Sequence, residues 1–182
     1  MEEKTDKQLY KEFLDGNKTS FEDIVIRHKD NIIYFIQRYV KNIDIAEDIA
    51  QDVFVYILAH KEKYDFNYSL KTYLYTIAKS KSLNFIKREQ KIVYINEEQY
   101  SDIEELEEKV FYNERAANLK KTIKKLRPEY QSAIFLADIE ELSYKEISKV
   151  LNKNTGQVKI LIYRARKALS EIIKKEEVKY EG

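Results

Sequence analysis

The stretch 142–169, LSYKEISKVLNKNTGQVKILIYRARKAL, decides how this chain is read. Ser143 and Glu146 stand at the spacing of a capping box, in which a hydroxyl caps the N3 amide and the N3 carboxylate returns to the cap amide. Leu142 and Ile147 occupy the two positions of a hydrophobic staple across the same helix start. A helix is therefore predicted over Ser143–Leu151. The run Asn152-Lys153-Asn154-Thr155-Gly156 is a tight turn, and Asn154 with Gln157 can act as cap and third residue of a second helix, Asn154–Lys174. Val158, Ile162, Ala165 and Leu169 give that helix a buried stripe, and Ile147, Val150 and Leu151 supply the surface it packs on. Two helices so linked form a helix-turn-helix, whose second member enters the DNA major groove.

The residues such a recognition helix presents are Asn154, Thr155, Gln157, Lys159, Ile160, Tyr163, Arg164, Arg166 and Lys167. Arg and Lys pair with guanine edges or phosphates, Gln reads adenine, and Ile160 can meet a thymine methyl. Phosphate contacts outnumber base contacts for the basic members. Just upstream, Pro128 suits a first helical turn, so a helix over Glu129–Ala137 follows one that ends near Leu126.

Farther upstream the charge changes sign. Glu97, Glu98, Asp102, Glu104, Glu105, Glu107 and Glu108 make residues 91–112 an acidic linker, with Ser101 and Glu104 as a local capping pair. It separates an N-terminal helical bundle, residues 1–90, from the helix-turn-helix domain, residues 113–182. The net charge of +1 hides this segregation.

In the N-terminal part, Thr5 and Gln8 cap a short helix that ends at Asp15-Gly16-Asn17, and Ser20 opens a long one. Phe21, Ile24, Val25, His28, Ile32, Phe35, Ile36 and Tyr39 form its apolar stripe, which makes His28 a packed histidine. Asp44 is the expected cap of the next helix, with Ile45, Ile49, Val53 and Ile57 buried. Its other face, Asp48, Gln51, Asp52 and Val55 with Phe54 close by, mixes acidic and apolar groups. Residues 61–68, KEKYDFNY, lack a helical period and form a loop carrying Tyr64, Phe66, Asn67 and Tyr68. Ser69 starts a helix with Leu70, Tyr73, Leu74, Ile77 and Ala78 inward and Lys71, Lys79, Lys81, Lys87 and Arg88 outward. Aromatic rings beside cations suit single-stranded nucleic acid, because bases stack on rings while phosphates pair with Lys and Arg.

Composition bounds the rest. With only 3 Gly and 1 Pro in 182 residues, the chain is expected to be all-α: two small helical domains joined by the acidic linker. The absence of Cys excludes disulfides, thiol nucleophiles and thiolate metal sites, and fits a cytoplasmic protein. No apolar run is long enough to span a bilayer. No Gly-rich phosphate loop or nucleophile setting stands out; Glu47, Asp48 and Asp52 lack a histidine partner for a metal. No enzymatic role, cofactor, metal or small-molecule substrate is expected.

With both halves read, the chain resembles the extracytoplasmic-function (ECF) group of the sigma-70 family. DIAEDIAQDVF, 44–54, is similar to that family's polymerase-binding helix, and LKTYLYTIA, 70–78, to the helix that handles the melted minus-ten element. LSYKEIS, 142–148, with GQVK, 156–159, and YRARKAL, 163–169, looks like the minus-thirty-five recognition motif.

The resemblance implies an alternative sigma factor that binds RNA polymerase core and directs initiation at specific promoters in an envelope or stress response. It implies that Asp48, Gln51, Asp52, Phe54 and Val55 dock on the polymerase clamp coiled coil and the C-terminal domain on the flap. Minus-ten DNA would meet Tyr64, Phe66, Asn67, Tyr68, Lys71, Tyr73, Lys79, Lys81, Asn84, Lys87 and Arg88. The acidic linker would thread the polymerase channel, and a membrane-associated anti-sigma factor would hold the protein in reserve. Tyr73 stands where the family favours Trp, Ser80 where it favours Asn, Asn84 where it favours Asp, and Ile160-Leu161 where it favours Ser-Arg. A conventional helix-turn-helix regulator is the competing class; it leaves the basic aromatic helix and the acidic–apolar face without a role.

Overall fold

The structure, a computed structural model, describes residues 3–93, 119 and 121–180. Four helices build the N-terminal domain: α1 (Asp6–Leu14), α2 (Lys18–Ile36), α3 (Ile43–Ala59) and α4 (Leu70–Val93). The C-terminal domain follows a short helical stretch at 121–124 with α5 (Pro128–Ile134), a π-helical turn (Phe135–Ile139), α6 (Tyr144–Leu151) and α7 (Thr155–Tyr180). Among the described residues there is no strand. Of the expected acidic linker, 91–93 continue α4, and 94–112 lie outside the described residues.

Local polar groups set the helix starts. Thr5 and Gln8 form the expected capping box on α1, and Ser143 and Glu146 the one on α6. Two starts differ from expectation. Asn42, not Asp44, caps α3 by accepting the Ile45 amide at 3.1 Å, which leaves Asp44 in the first turn, where its charge meets the positive helix end. Asn17 accepts the Thr19 amide at 3.1 Å, so α2 begins two residues before Ser20. In both cases an Asn upstream supplied an earlier cap of equal quality.

The predicted apolar stripes are the core. Ile24, Ile32, Phe35 and Ile36 of α2, Val53 and Ile57 of α3, and Leu74 and Ala78 of α4 are fully buried. Each large one contributes about 1.5–3 kcal/mol by leaving water. His28 is buried against Asp6, whose carboxylate lies 2.8 Å from Nε2 and 2.7 Å from Arg27, so the histidine ties α1 to α2. Burial alone would raise the Asp6 pKa, but hydrogen bonds and charge from His28 and Arg27 hold it below the usual range.

The two domains pack against each other, α4 on α6. Phe135 leaves its own domain to sit among Tyr34, Phe35 and Tyr75, with ring centroids 5.4, 5.8 and 5.6 Å away. The Arg38 guanidinium lies 3.4 Å above the Tyr34 ring on the same side. The π turn fits this seam: the Glu140 amide closes it on the Phe135 carbonyl at 2.9 Å, and the extra residue turns Glu140 away from the straight helical path. Glu141 follows it in a left-handed conformation, φ 56, which a non-glycine residue adopts only at a cost.

Candidate nucleic-acid and partner interfaces

α7 is fixed by its inner face. Val158, Ile162 and Ala165 are buried against Ile147, Val150 and Leu151, while Asn152 closes α6 in the left-handed conformation that Asn tolerates well. Asn154 and Gln157 cap each other reciprocally at 2.8 and 3.0 Å. Gly156, expected in the turn, already belongs to the helix. Outward stand Thr155, Gln157, Lys159, Arg164 and Lys167, all exposed, with Ile160 at 53% and Tyr163 at 67%. Arg166 is exposed as well but forms a two-pronged ion pair with Asp138, which holds its charge more firmly. This surface carries donors and cations along one helix side, the chemistry a groove and its phosphates require.

The loop before α4 is less open than its sequence promises. Tyr64 is buried, meets the Tyr10 ring edge-on with centroids 4.6 Å apart and donates its hydroxyl to the Tyr68 carbonyl at 2.8 Å. Burial pushes its pKa up to about 12. Phe66 and Tyr73 are half-buried around the same ring, and burial likewise raises Tyr73. Asn67 is exposed, its amide donated to Asp65 at 2.9 Å. Tyr68 lies beneath the Lys149 ammonium, 3.3 Å from the ring centroid.

Along α4 the cations divide. Lys71 and Lys79 turn toward the C-terminal domain, Lys81 reaches Asp52 at 3.9 Å, and Asn84, Lys87 and Arg88 are exposed. The first stretch of the helix is thus engaged inside the molecule, and the later stretch faces solvent.

On α3, Asp48, Gln51 and Asp52 are exposed and Val55 is 61% exposed, whereas Phe54 points into the core. Leu58, 54% exposed, extends the face by three residues and was not among the expected contacts. Its place at i+3 from Val55 was the signal that could have found it.

The seam is the larger omission. Glu140 is 3% exposed; Asn31 donates to its Oε1 at 2.7 Å, and the Lys71 ammonium lies 3.0 Å from Oε2. Burial and then the Glu140 charge push the Tyr75 phenol well above its usual range. Glu146 accepts the Thr72 hydroxyl at 3.0 Å, and Lys79 donates to the Leu151 carbonyl at 2.7 Å, capping the C-terminus of α6 from the other domain. Burial would raise Glu146, but hydrogen bonds from Ser69, Ser143 and Thr72 bring it down to about 2. Among the described residues no cluster of His, Asp or Glu is placed to hold a metal, and no helix is long and apolar enough to cross a membrane.

A helix-turn-helix and a second, basic aromatic helix on separate helical domains define a DNA-handling protein built of two modules. Residues 24–92 match the family model for sigma-70 region 2, and residues 116–169 the model for sigma-70 region 4. The chain is 33% identical to the ECF RNA polymerase sigma factor SigW of Bacillus subtilis (strain 168), covering 90% of this chain and 94% of that relative. It is 26% identical to the RNA polymerase sigma-H factor of Pseudomonas aeruginosa, over 92% and 93%. Its fold is similar to that of the sigma factor RpoE solved with the anti-sigma factor NepR from Bartonella quintana: TM-score 0.71, 20% identity, 85% of this chain and 96% of that one. The chain belongs to the sigma-70 family, in its ECF group.

Proposed function

We propose that this protein is an alternative sigma factor that joins RNA polymerase core and directs it to a specific set of promoters. The observation that carries this reading is the match of both sigma regions, in order, within one chain. α3 supplies the docking face for core polymerase through Asp48, Gln51, Asp52, Val55 and Leu58, with Phe54 holding that face from below. The C-terminal domain meets the flap. α7 engages minus-thirty-five duplex DNA through the exposed residues of its outer face. α4 and its loop receive the melted minus-ten strand, with Tyr68 and the Tyr73 edge for stacking and Lys71, Lys79, Asn84, Lys87 and Arg88 for phosphates and bases. Residues 91–112 are the acidic connector through the polymerase channel. The protein works without chemistry of its own: it positions DNA for the polymerase active site, in the cytoplasm.

A protein anti-sigma factor, held at the membrane, fits the envelope or stress role and would keep the sigma factor in reserve. Relatives of known structure support such a partner: RpoE was solved with NepR, and CnrH with the cytosolic domain of CnrY. The decisive experiment is run-off transcription with sigma-free core enzyme on the promoter of the protein's own gene. A start-site-specific transcript that needs both components is the expected result. Tight operator binding without core, and no transcript with it, would make the protein a conventional regulator instead.

A further inference from the structure

Glu140 and Glu146 of the C-terminal domain occupy cations and donors of the N-terminal domain, on α4 and, at Asn31, on α2. Glu140 holds Lys71 and Asn31, Glu146 holds Thr72, the Leu151 carbonyl holds Lys79, and Lys149 covers Tyr68. Phe135 seals the seam in an aromatic pocket of the N-terminal domain. The outer face of α7 is untouched by this packing and remains exposed. Closure is therefore selective: it occupies the first part of the single-strand surface, at Tyr68, Lys71 and Lys79, and leaves Asn84, Lys87 and Arg88 and the whole duplex surface open.

We propose that the seam formed by Phe135, Glu140 and Glu146 on α4 is an autoinhibitory latch, in which carboxylates take the place of DNA phosphates on Lys71 and its neighbours. The proposal rests on the reading of α4 as the minus-ten surface. Two features make it a two-state device rather than a sliding contact. Glu140 itself is buried while Lys71 is half-buried and Asn31 exposed, so removing the ammonium strands a charge on the Glu140 side. The π turn and the left-handed Glu141 that aim Glu140 across the seam are discrete backbone states. The free protein would thus touch the duplex half of a promoter first and bring Tyr68, Lys71 and Lys79 to single-stranded DNA only after the domains part.

The natural chain has no Cys, so two spin labels can be placed cleanly, at Lys18→Cys and Ser170→Cys on exposed positions of the two domains. Pulsed electron resonance on the full chain should give one narrow distance. Glu140→Lys should lengthen and broaden it, and adding Lys71→Glu should restore it by reversing the ion pair. A distance unchanged by Glu140→Lys, or broad in the parent, overturns the latch. The restored distance in the double variant also shows that the single one still folds.

Binding of a fluorescent AT-rich single-stranded DNA 12-mer by the free protein then tests inhibition. Glu140→Ala should tighten it about tenfold. Glu171→Ala, which removes the same charge from an exposed site, should leave both distance and affinity as they are. Opening without a gain in affinity, while holoenzyme still initiates on its promoter, refutes inhibition and leaves the sigma reading intact. Loss of core-dependent initiation in the parent protein refutes that reading and the proposal with it.

Discussion

One carboxylate joins a helix cap to a domain contact: Glu146 accepts the Ser143 amide on Oε2 at 3.0 Å and the Thr72 hydroxyl on Oε1 at 3.0 Å. Its own helix start and the seam to α4 therefore share one ionised group. Because the folded protein holds Glu146 at about 2, below its ordinary 4.5, the stabilisation is complete above about pH 4.5 and is lost as pH falls toward about 2. Denaturant midpoints measured between pH 6 and pH 3 should fall less for Glu146→Gln than for the parent. At pH 6 the variant should be less stable by about 1 kcal/mol, the worth of a charged hydrogen bond reduced for its partial exposure to solvent.

Phe135 carries the apolar share of the seam. Its ring is 1% exposed and touches three rings of the other domain, so Phe135→Ala should cost about 3–5 kcal/mol. Phe135→Leu, which keeps most of the volume, should cost under about 1.5 kcal/mol. Urea unfolding followed by far-ultraviolet dichroism should show more than the lost stability. With the alanine variant the two domains should unfold in separate steps, whereas the leucine variant should keep a single one.

Much of the fold could be read from local signals, and the exceptions have a common cause. The helix-turn-helix was legible because Ser143–Glu146, Asn154–Gln157 and the stripe Val158, Ile162, Ala165 all act within one or two turns of chain. Asn42 stands in for the expected Asp44 because either side chain can cap, and only the backbone path shows which amide each reaches. Tyr64 looked like a stacking platform because an aromatic residue between polar ones reads the same whether it faces solvent or core; Tyr10, 54 positions away, decides. The seam was illegible for the strongest version of that reason. Asn31 and Glu140 are separated by 109 positions, and neither carries a local mark of its partner. Phe135 likewise fits the stripe of its own helix, and nothing local shows that its ring meets Tyr34, Phe35 and Tyr75 of the other domain.

Val55 and Leu58 are large apolar side chains left more than half exposed beside Asp48, Gln51 and Asp52. Surface substitutions at such sites change stability by no more than about 0.5 kcal/mol. Val55→Asp or Leu58→Asp should accordingly fold as the parent does, yet weaken association with core polymerase about tenfold or more, the loss of a central apolar contact. Fluorescence titration of core enzyme against labelled protein measures this. A double variant with intact core affinity would move the docking face off α3.

On α7 the cations differ in what they are free to give. Lys159 and Arg164 stand exposed, while Arg166 is held by Asp138 through two nitrogen atoms. Each phosphate neutralised by a side chain releases counterion and adds about 0.9 to the slope of log affinity against log salt. Lys159→Ala and Arg164→Ala should each lower that slope by about 1 on minus-thirty-five duplex DNA. Arg166→Ala should lower it less, because binding DNA would first break a pair that already balances the charge. Its cost should show instead in stability, below about 1 kcal/mol for an exposed pair. Binding isotherms of holoenzyme at four or more salt concentrations separate these outcomes: an Arg166 slope change equal to that of Lys159 would mean that Asp138 releases the guanidinium when DNA arrives.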